Sequence, residues 1–326
     1  MVSVIIPVRN AEAALARCLD ALGDQSFPRE QREVIVVDDG STDGSRRVAE
    51  ARGVRVLSQA CQGPAAARNA GVAQARGELV LFTDADCVPD RDWIRNMVAP
   101  FAAADVAGVR GLYRCRQRQL VARFAQAEYE EKYERLKKGD RIDFIDTSAA
   151  AYRREVFVKE GGFDATFRTA SGEDTDFSFR LAGRGYRLVL NPDAAVYHEH
   201  PARLRDYLRR KYKTAFWRVS LYERHPDKIL SDSHTPQTLK LQIGAFGLLV
   251  ASVILGFVWR PAWIMAAAAL IAFAALSAPF VRFAARRDAA GAAAAPAFLF
   301  LRSAVFAAGL AAALGGRVAA RVAGKR

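Results

Sequence analysis

Asp84 and Asp86 stand one residue apart in Thr83-Asp84-Ala85-Asp86-Cys87, directly after an apolar run over residues 78–82. The run reads as a buried strand, and carboxylates at the C-terminal end of a parallel strand face the crevice where open α/β sheets bind ligands. Two acids so placed are hard oxygen ligands suited to Mg²⁺ or Mn²⁺, above all when a diphosphate supplies further oxygens. By itself an Asp-x-Asp pair more often marks a solvated turn. Four further groupings bear on the choice.

Val37-Asp38-Asp39-Gly40-Ser41-Thr42-Asp43 ends a second strand at the same sheet edge. A carboxylate there can accept the imide N–H of a uracil or hold a ribose hydroxyl, while Ser41 and Asp43 could equally serve as a helix N-terminus. Arg68 and Asn69 lie in Ala67-Arg68-Asn69-Ala70-Gly71, and an arginine near a nucleotide can stack on a base or neutralise phosphate. Ser171-Gly172-Glu173-Asp174-Thr175-Asp176 sets acids at a helix start. Alone they would be capping residues; beside a metal–diphosphate site one can act as a general base. Val196-Tyr197-His198-Glu199-His200 brings histidine to a strand end. A lone histidine is more often structural than a ligand, so the neighbouring acids decide its meaning.

The elements that must position these residues alternate. Strand signals cover 2–6, 34–37, 54–57 and 78–82, with helical signals at 11–22, after Gly44 through Ala51, and at 63–75. Such alternation predicts right-handed βαβ units and a mainly parallel sheet. Pro7-Val8-Arg9-Asn10 follows the first strand where a dinucleotide fold would need G-x-G-x-x-G, which argues against a nicotinamide dehydrogenase. Further along come a strand over 106–115, a charged helix over 117–138, an apolar stretch over 142–152 and a helix over 172–183. Short strands at 186–190 and 195–200 precede a basic helix over 203–218 carrying Tyr207, Tyr212, Phe216 and Trp217.

Together these motifs resemble the catalytic domain of glycosyltransferase family 2, of the GT-A fold. The matching pieces are Val4-Ile5-Ile6-Pro7-Val8-Arg9-Asn10, the Asp38-Asp39 turn, Ala67–Gly71, Thr83–Asp86, Gly161-Gly162-Phe163-Asp164 and Gly172-Glu173-Asp174, in family order over about residues 1–220. The resemblance implies a hexosyltransferase: inverting transfer of a sugar from a nucleotide diphosphate, a UDP-sugar first, with Mg²⁺ or Mn²⁺ as cofactor. It implies that Pro7 and Asp39 line the nucleoside pocket, with Arg68 near the base or phosphates. Asp84 then faces the ribose or phosphates, Asp86 ligates the metal, and Asp174 is the base, with Glu173 its neighbouring acid. His198 completes the metal site, with His200 as the alternative. Processive members carry Q-x-x-R-W after the base; residues 209–217 here read Arg-Arg-Lys-Tyr-Lys-Thr-Ala-Phe-Trp, which argues for transfer of one sugar. The alternative is a nucleotide-sugar- or membrane-binding protein that keeps this fold without catalysis. Retention of Asp39, Asp86 and Asp174 speaks against it.

The 326 residues carry a net charge of +13, which makes nucleic acid and anionic membrane candidate partners. Beyond about residue 240 the chain turns into apolar runs at 241–259, 262–281 and 292–316, separated by arginine clusters. That is a membrane pattern, and the basic patches beside the spans make a nucleic-acid role the weaker reading. The expected organisation is therefore a GT-A domain over 1–220, a basic juxtamembrane segment over 203–240, transmembrane helices over 241–316 and a basic tail over 317–326. No signal peptide opens the sequence, and Cys18, Cys61, Cys87 and Cys115 form no C-x-x-C pair. Both point to a cytosolic catalytic domain; with the apolar runs this predicts a multi-pass inner-membrane protein, and the family resemblance implies a lipid-linked or envelope glycan acceptor. One tension stands. A third full span leaves Arg317, Arg321, Lys325 and Arg326 on the far side, against the positive-inside tendency, unless that segment is re-entrant or interfacial. Arg302, inside the third run, must face protein or reach the membrane surface.

Overall fold

The computed structural model describes residues 1–167, 172–229, 232 and 235–323, without the side chains of 318–323. Ser171 of the acidic motif, and Lys325 and Arg326 of the tail, lie outside the described residues. The chain divides into two compact units. One comprises Met1–Arg116 and Tyr133–Glu199; the other comprises Gln117–Lys132 and His200–Arg326. Residues 200–220 thus belong with the apolar helices.

The first unit is a mixed eight-stranded sheet flanked by helices. Its strands are β1 (Val2–Val8), β2 (Arg32–Asp38), β3 (Arg55–Ser58), β4 (Leu79–Phe82), β5 (Cys87–Pro89), β6 (Val106–Arg114), β7 (Ala150–Arg153) and β8 (Arg187–His198). Their spatial order is β3-β2-β1-β4-β7-β6-β8-β5. β3, β2, β1 and β4 are parallel, β7 runs antiparallel to both its neighbours, and β6 and β8 are parallel again. The chain leaves β1 towards β2 and β3, then returns to its other side as β4. Such a switch opens a crevice at the carboxyl ends of the strands. Val8, Asp38 and Phe82 close β1, β2 and β4 there, so the loops that follow all reach one rim.

Local sequence explains the helices around it. In α1 (Glu12–Gly23) the buried residues Leu15, Cys18, Leu19 and Leu22 recur at helical spacing and form one apolar stripe. After α2 (Ser45–Ala51), α3 (Pro64–Ala73) starts with Pro64 in its first turn, where the missing N–H costs nothing. Gly71 is required on α3, because a Cβ there would come 2.5 Å from Ile5 Cγ2 on β1. α4 (Trp93–Val98) and α6 (Arg154–Lys159) are six-residue helices, separated in sequence by α5 (Leu120–Leu136), while α7 (Glu173–Gly183) carries the acidic motif.

The core beneath the rim is aromatic. Phe177 on α7 is fully buried, with ring centroids of Tyr152, Phe157 and Phe163 at 5.2, 4.9 and 5.3 Å in edge-on or tilted arrangements. These geometries suit the ring quadrupoles and add to the burial energy. Truncation of Phe177 to alanine should lower unfolding free energy by about 3–5 kcal/mol, the cost of a large buried cavity. Denaturant unfolding of the detergent-solubilised protein measures it.

Candidate active site

The loop after β2 spends most of its polar groups on itself. Asp38 accepts the Ser41 N–H at 3.0 Å, and Asn10, held at φ 52°, accepts the Thr42 N–H at 2.7 Å. Asp43 accepts the Ser45 N–H and the Glu12 N–H, at 3.0 and 3.1 Å. Asp39 is buried and takes three bonds from one neighbouring loop: Gln59 Nε2 at 2.7 Å, Gln62 N–H at 2.8 Å and Gly63 N–H at 2.9 Å. Its carboxylate therefore fixes the loop that leads into α3, beside Pro7 at the end of β1.

Arg68, on α3, occupies the centre of the site and is 3% exposed. One terminal nitrogen donates to Asp84 Oδ1 at 2.7 Å, the other to Glu173 Oε1 at 3.0 Å. Its guanidinium carbon also sits 6.0 Å from the centroid of the Phe163 ring. Arg68 thus joins the Asp-x-Asp turn to the start of the acidic helix. The next residue, Asn69, clasps the Gly161–Asp164 turn: it donates to Phe163 C=O at 2.7 Å and accepts the Phe163 N–H at 3.0 Å. Gly162 has φ +63°, and a Cβ there would meet Asn69 Oδ1 at 2.8 Å, so only glycine fits this clasp.

Asp84 is fully engaged. Besides Arg68, it accepts the Ser148 hydroxyl. Burial pushes its carboxyl up, but the Arg68 charge and these two hydrogen bonds outweigh that and hold it below the usual carboxylate range. Asp86 differs: its side chain is 56% exposed. Antiparallel pairing of β5 with β8 sets His198 opposite Cys87, and His198 Nε2 comes 3.9 Å from Asp86 Oδ2. Asp86, Cys87 and His198 present potential ligand atoms within 4.8 Å of one another. The Cys87 thiol is buried and held well above its ordinary pKa by desolvation and by the Asp84 and Asp86 charges, so it stays protonated. An exposed carboxylate and an imidazole suit Mn²⁺ or Mg²⁺ and leave positions for phosphate oxygens and water. His200 belongs to the second unit, where its Nε2 lies 2.9 Å from Gln126 Oε1 and its ring stacks on Tyr129.

Asp174 lies in the first turn of α7, after Gly172 at φ 138°. It accepts the Thr175 N–H at 2.7 Å. Burial, then the charges of Glu173 and Asp146, push its carboxyl up to about 7, against the opposing pull of Arg68. Three residues of this site carry no motif in the sequence. Ser148 binds Asp84, while Asp146 accepts hydrogen bonds from Arg110 and from the Tyr113 hydroxyl. The Tyr113 ring lies 5.4 Å from that of His198, which links the acid cluster to the Asp86 side. The signal they did leave is the polar Asp146-Thr147-Ser148 inside the apolar stretch over 142–152.

Residues 3–161 match the family model described as Glycosyl transferase family 2. Those residues form a glycosyltransferase family 2 domain. Its fold is GT-A: a solved mannosyltransferase from Pyrobaculum calidifontis, in complex with GDP-Man and Mn²⁺, superposes with TM-score 0.60 at 26% identity, covering 94% of this chain and 86% of that one. Pre-mycofactocin glycosyltransferase of Mycobacterium tuberculosis is 34% identical over 241 residues, 70% of this chain and 48% of that protein. Glycosyltransferase AglE of Haloferax volcanii is 29% identical over 220 residues, 62% of this chain and 67% of its own length. The chain spans about half the length of the first of these relatives.

The sign of the Asp174 shift sets a stability test for this family 2 site. Its carboxyl titrates near 7 when folded against about 3.9 when unfolded, so the folded state binds the extra proton between those values. The stabilising contribution of the protonated form is present in acid and is lost as pH rises through about 7. Asp174→Asn mimics the protonated form. It should melt above wild type at pH 8, above it by less at pH 5, and near it only towards pH 4, by thermal unfolding in metal-free buffer.

Proposed function

We propose that the chain is a non-processive, inverting, metal-dependent glycosyltransferase. It would transfer one hexose from a nucleotide diphosphate sugar, a UDP-sugar first, to a membrane-associated or envelope glycan acceptor. The observation that carries this reading is the Arg68 bridge, which sets the Asp-x-Asp turn and the Gly172-Glu173-Asp174 turn side by side, with His198 against Asp86. The Pyrobaculum mannosyltransferase, solved with GDP-Man and Mn²⁺, supports a nucleotide-sugar donor and a divalent ion. Three helices long and apolar enough to cross a membrane support an acceptor at a membrane and a multi-pass inner-membrane location with a cytosolic catalytic domain.

Each residue then has a physical task. Pro7 and the Asp39-fixed loop border the nucleoside. Asp84, neutralised by Arg68 and Ser148, holds the turn that presents Asp86. Asp86 and His198 would hold the divalent cation, which as a Lewis acid offsets negative charge gathering on the leaving diphosphate. Asp174, poised near neutral pH, takes the proton of the acceptor hydroxyl as its oxygen bonds to the anomeric carbon. The bond to the diphosphate oxygen breaks with its electron pair, through an oxocarbenium-like transition state, and the configuration inverts. Glu173, tied to Arg68, keeps the first turn of α7 in register behind the base.

Two measurements test this. Asp86→Ala should abolish transfer while circular dichroism stays native, and chelation should do the same to wild type. Full turnover in either would refute metal dependence. Asp174→Asn should reduce kcat about 10²-fold or more while donor affinity changes little. Normal turnover there, with loss in Glu173→Gln instead, would reassign the base. Both are read with a donor panel of UDP- and GDP-sugars, in which turnover of a GDP-sugar alone would overturn the UDP preference.

A further inference from the structure

The second unit contains α8 (Leu204–Arg224), α9 (Gln237–Gly256), α10 (Ala262–Ala285) and α11 (Ala289–Ala323), together with the α5 residues up to Lys132. By length and composition α9, α10 and α11 could each cross a bilayer. Their contacts separate them into two kinds.

α9 and α10 form an antiparallel hairpin, and residues equally far from its turn lie at one level. Gln242 marks such a level, since its amide donates to Ser277 Oγ at 3.2 Å. α11 meets the hairpin only near its open end in the contacts described. The Phe300 ring lies 5.2 Å from Phe246 and 5.5 Å from Phe273, Arg302 donates to Gln242 Oε1 at 2.6 Å, and Phe306 packs with Leu239. Phe246 is nine residues into α9, about 14 Å from its start at 1.5 Å per residue. Beyond that level the hairpin is bare: Ile264 is 75%, Phe257 80% and Val258 89% exposed. A helix running the length of the hairpin would cover such residues.

The rest of α11 lies against a charged partner. A Cβ on Gly309 would meet the Tyr212 carbonyl at 2.6 Å and Ala215 Cβ at 2.9 Å, so the backbones of α11 and α8 touch there. Further on, Arg317 donates to Ser220 Oγ at 2.6 Å and pairs with Glu223 at 3.3 Å. Midway, Arg302 pairs with Glu128 of α5 at 2.6 Å, and Lys211 of α8 pairs with the same carboxylate at 2.8 Å. If α11 crossed the bilayer, these contacts would draw α8 into hydrocarbon with its exposed Arg205, Arg209, Arg210 and Lys213. Charges at that depth are strongly disfavoured.

We propose that only α9 and α10 cross the membrane, and that α8 and α11 lie side by side along the leaflet at the open end of the hairpin. The occupant of their outer face is a layer of anionic lipid headgroups. Charge complementarity and continuity with the apolar hairpin select it: Arg205, Arg209, Tyr212, Lys213 and Phe216 recur at helical spacing as one exposed basic and aromatic stripe. On α11, Ala293, Ala297, Leu301, Ala308 and Ala312 form an exposed apolar stripe suited to the acyl-chain boundary. This arrangement also keeps Arg317 on the side from which α9 enters the membrane, in keeping with the positive-inside tendency.

The test uses the full chain with an epitope tag at each end, in sealed inverted inner-membrane vesicles. Both tags should be digested by added protease; protection of the C-terminal tag alone would overturn the proposal in favour of a third crossing. Spin labels in a cysteine-replaced full chain, in phosphatidylglycerol-containing nanodiscs, give the depth. Labels at Tyr212 and Ala312 should read at the headgroup–acyl boundary and one at Leu270 near the midplane. Arg205→Glu, Arg209→Glu and Lys213→Glu together should move the Tyr212 label outward. A midplane or fully aqueous reading at Ala312, or no movement at Tyr212, would refute the surface arrangement.

Discussion

One buried guanidinium organises the catalytic-type unit. Arg68 is bound on one side to a residue 16 positions away and on the other to one 105 positions away. It therefore couples the end of a parallel strand to the start of a helix from the far part of the chain. Removing one partner of such a pair leaves a buried charge, which typically costs about 3–5 kcal/mol. The same cation also leaves a charge imbalance. Asp84, Glu173 and Asp174 all lie within its field. Asp84 and Glu173 hold its two terminal nitrogens, and Asp174, left without a cationic hydrogen-bond partner among the described contacts, is the carboxyl driven upward. Burial first, then the Glu173 and Asp146 charges, raises the carboxyl proposed as the base.

A second ionic cluster does comparable work among the apolar helices. Glu128 accepts from Arg302, Lys211 and the Tyr207 hydroxyl, while Arg302 also reaches Gln242. Bonds that satisfy both carboxylate oxygens let charges sit between helices whose other contacts are phenylalanine and alanine. In both clusters an arginine serves as the planar two-pronged donor that lysine could not replace.

Much of this was legible in the sequence. Apolar-rich segments located β1, β2, β3, β4 and β6, and the acids after β2 and β4 fell on one rim because those parallel strands end together. Other features left weak signals. β5 has three residues, α4 and α6 have six each, and none is long enough to show a period. β8 read as two strands because Pro192 interrupts it; the ladder indeed jumps from Leu190 opposite Arg110 to Ala195 opposite Leu112. In the site, types and spacing marked the Asp84–Asp86 pair, the acids after Gly172 and a histidine at the end of the last strand, and the family resemblance named Asp86, Asp174 and His198 among them. They could not show that Arg68 faces two carboxylates, or that Asp39 holds the Gln59–Gly63 loop, since those pairings depend on long-range packing. Ser148 and Tyr113 escaped for the same reason.

The register of β8 carries a consequence for how the protein is made. His198 meets Asp86 only because the last strand of the sheet inserts beside β6 and reaches across to β5. During synthesis the Asp-x-Asp turn emerges more than a hundred residues before its histidine. Until the chain is threaded past that strand, Asp86 lacks its histidine neighbour and the nascent domain has an open sheet edge. Contacts of such separation form late and slowly. A ribosome translating this message therefore brings His198 to Asp86 last, as it begins to deliver the apolar helices.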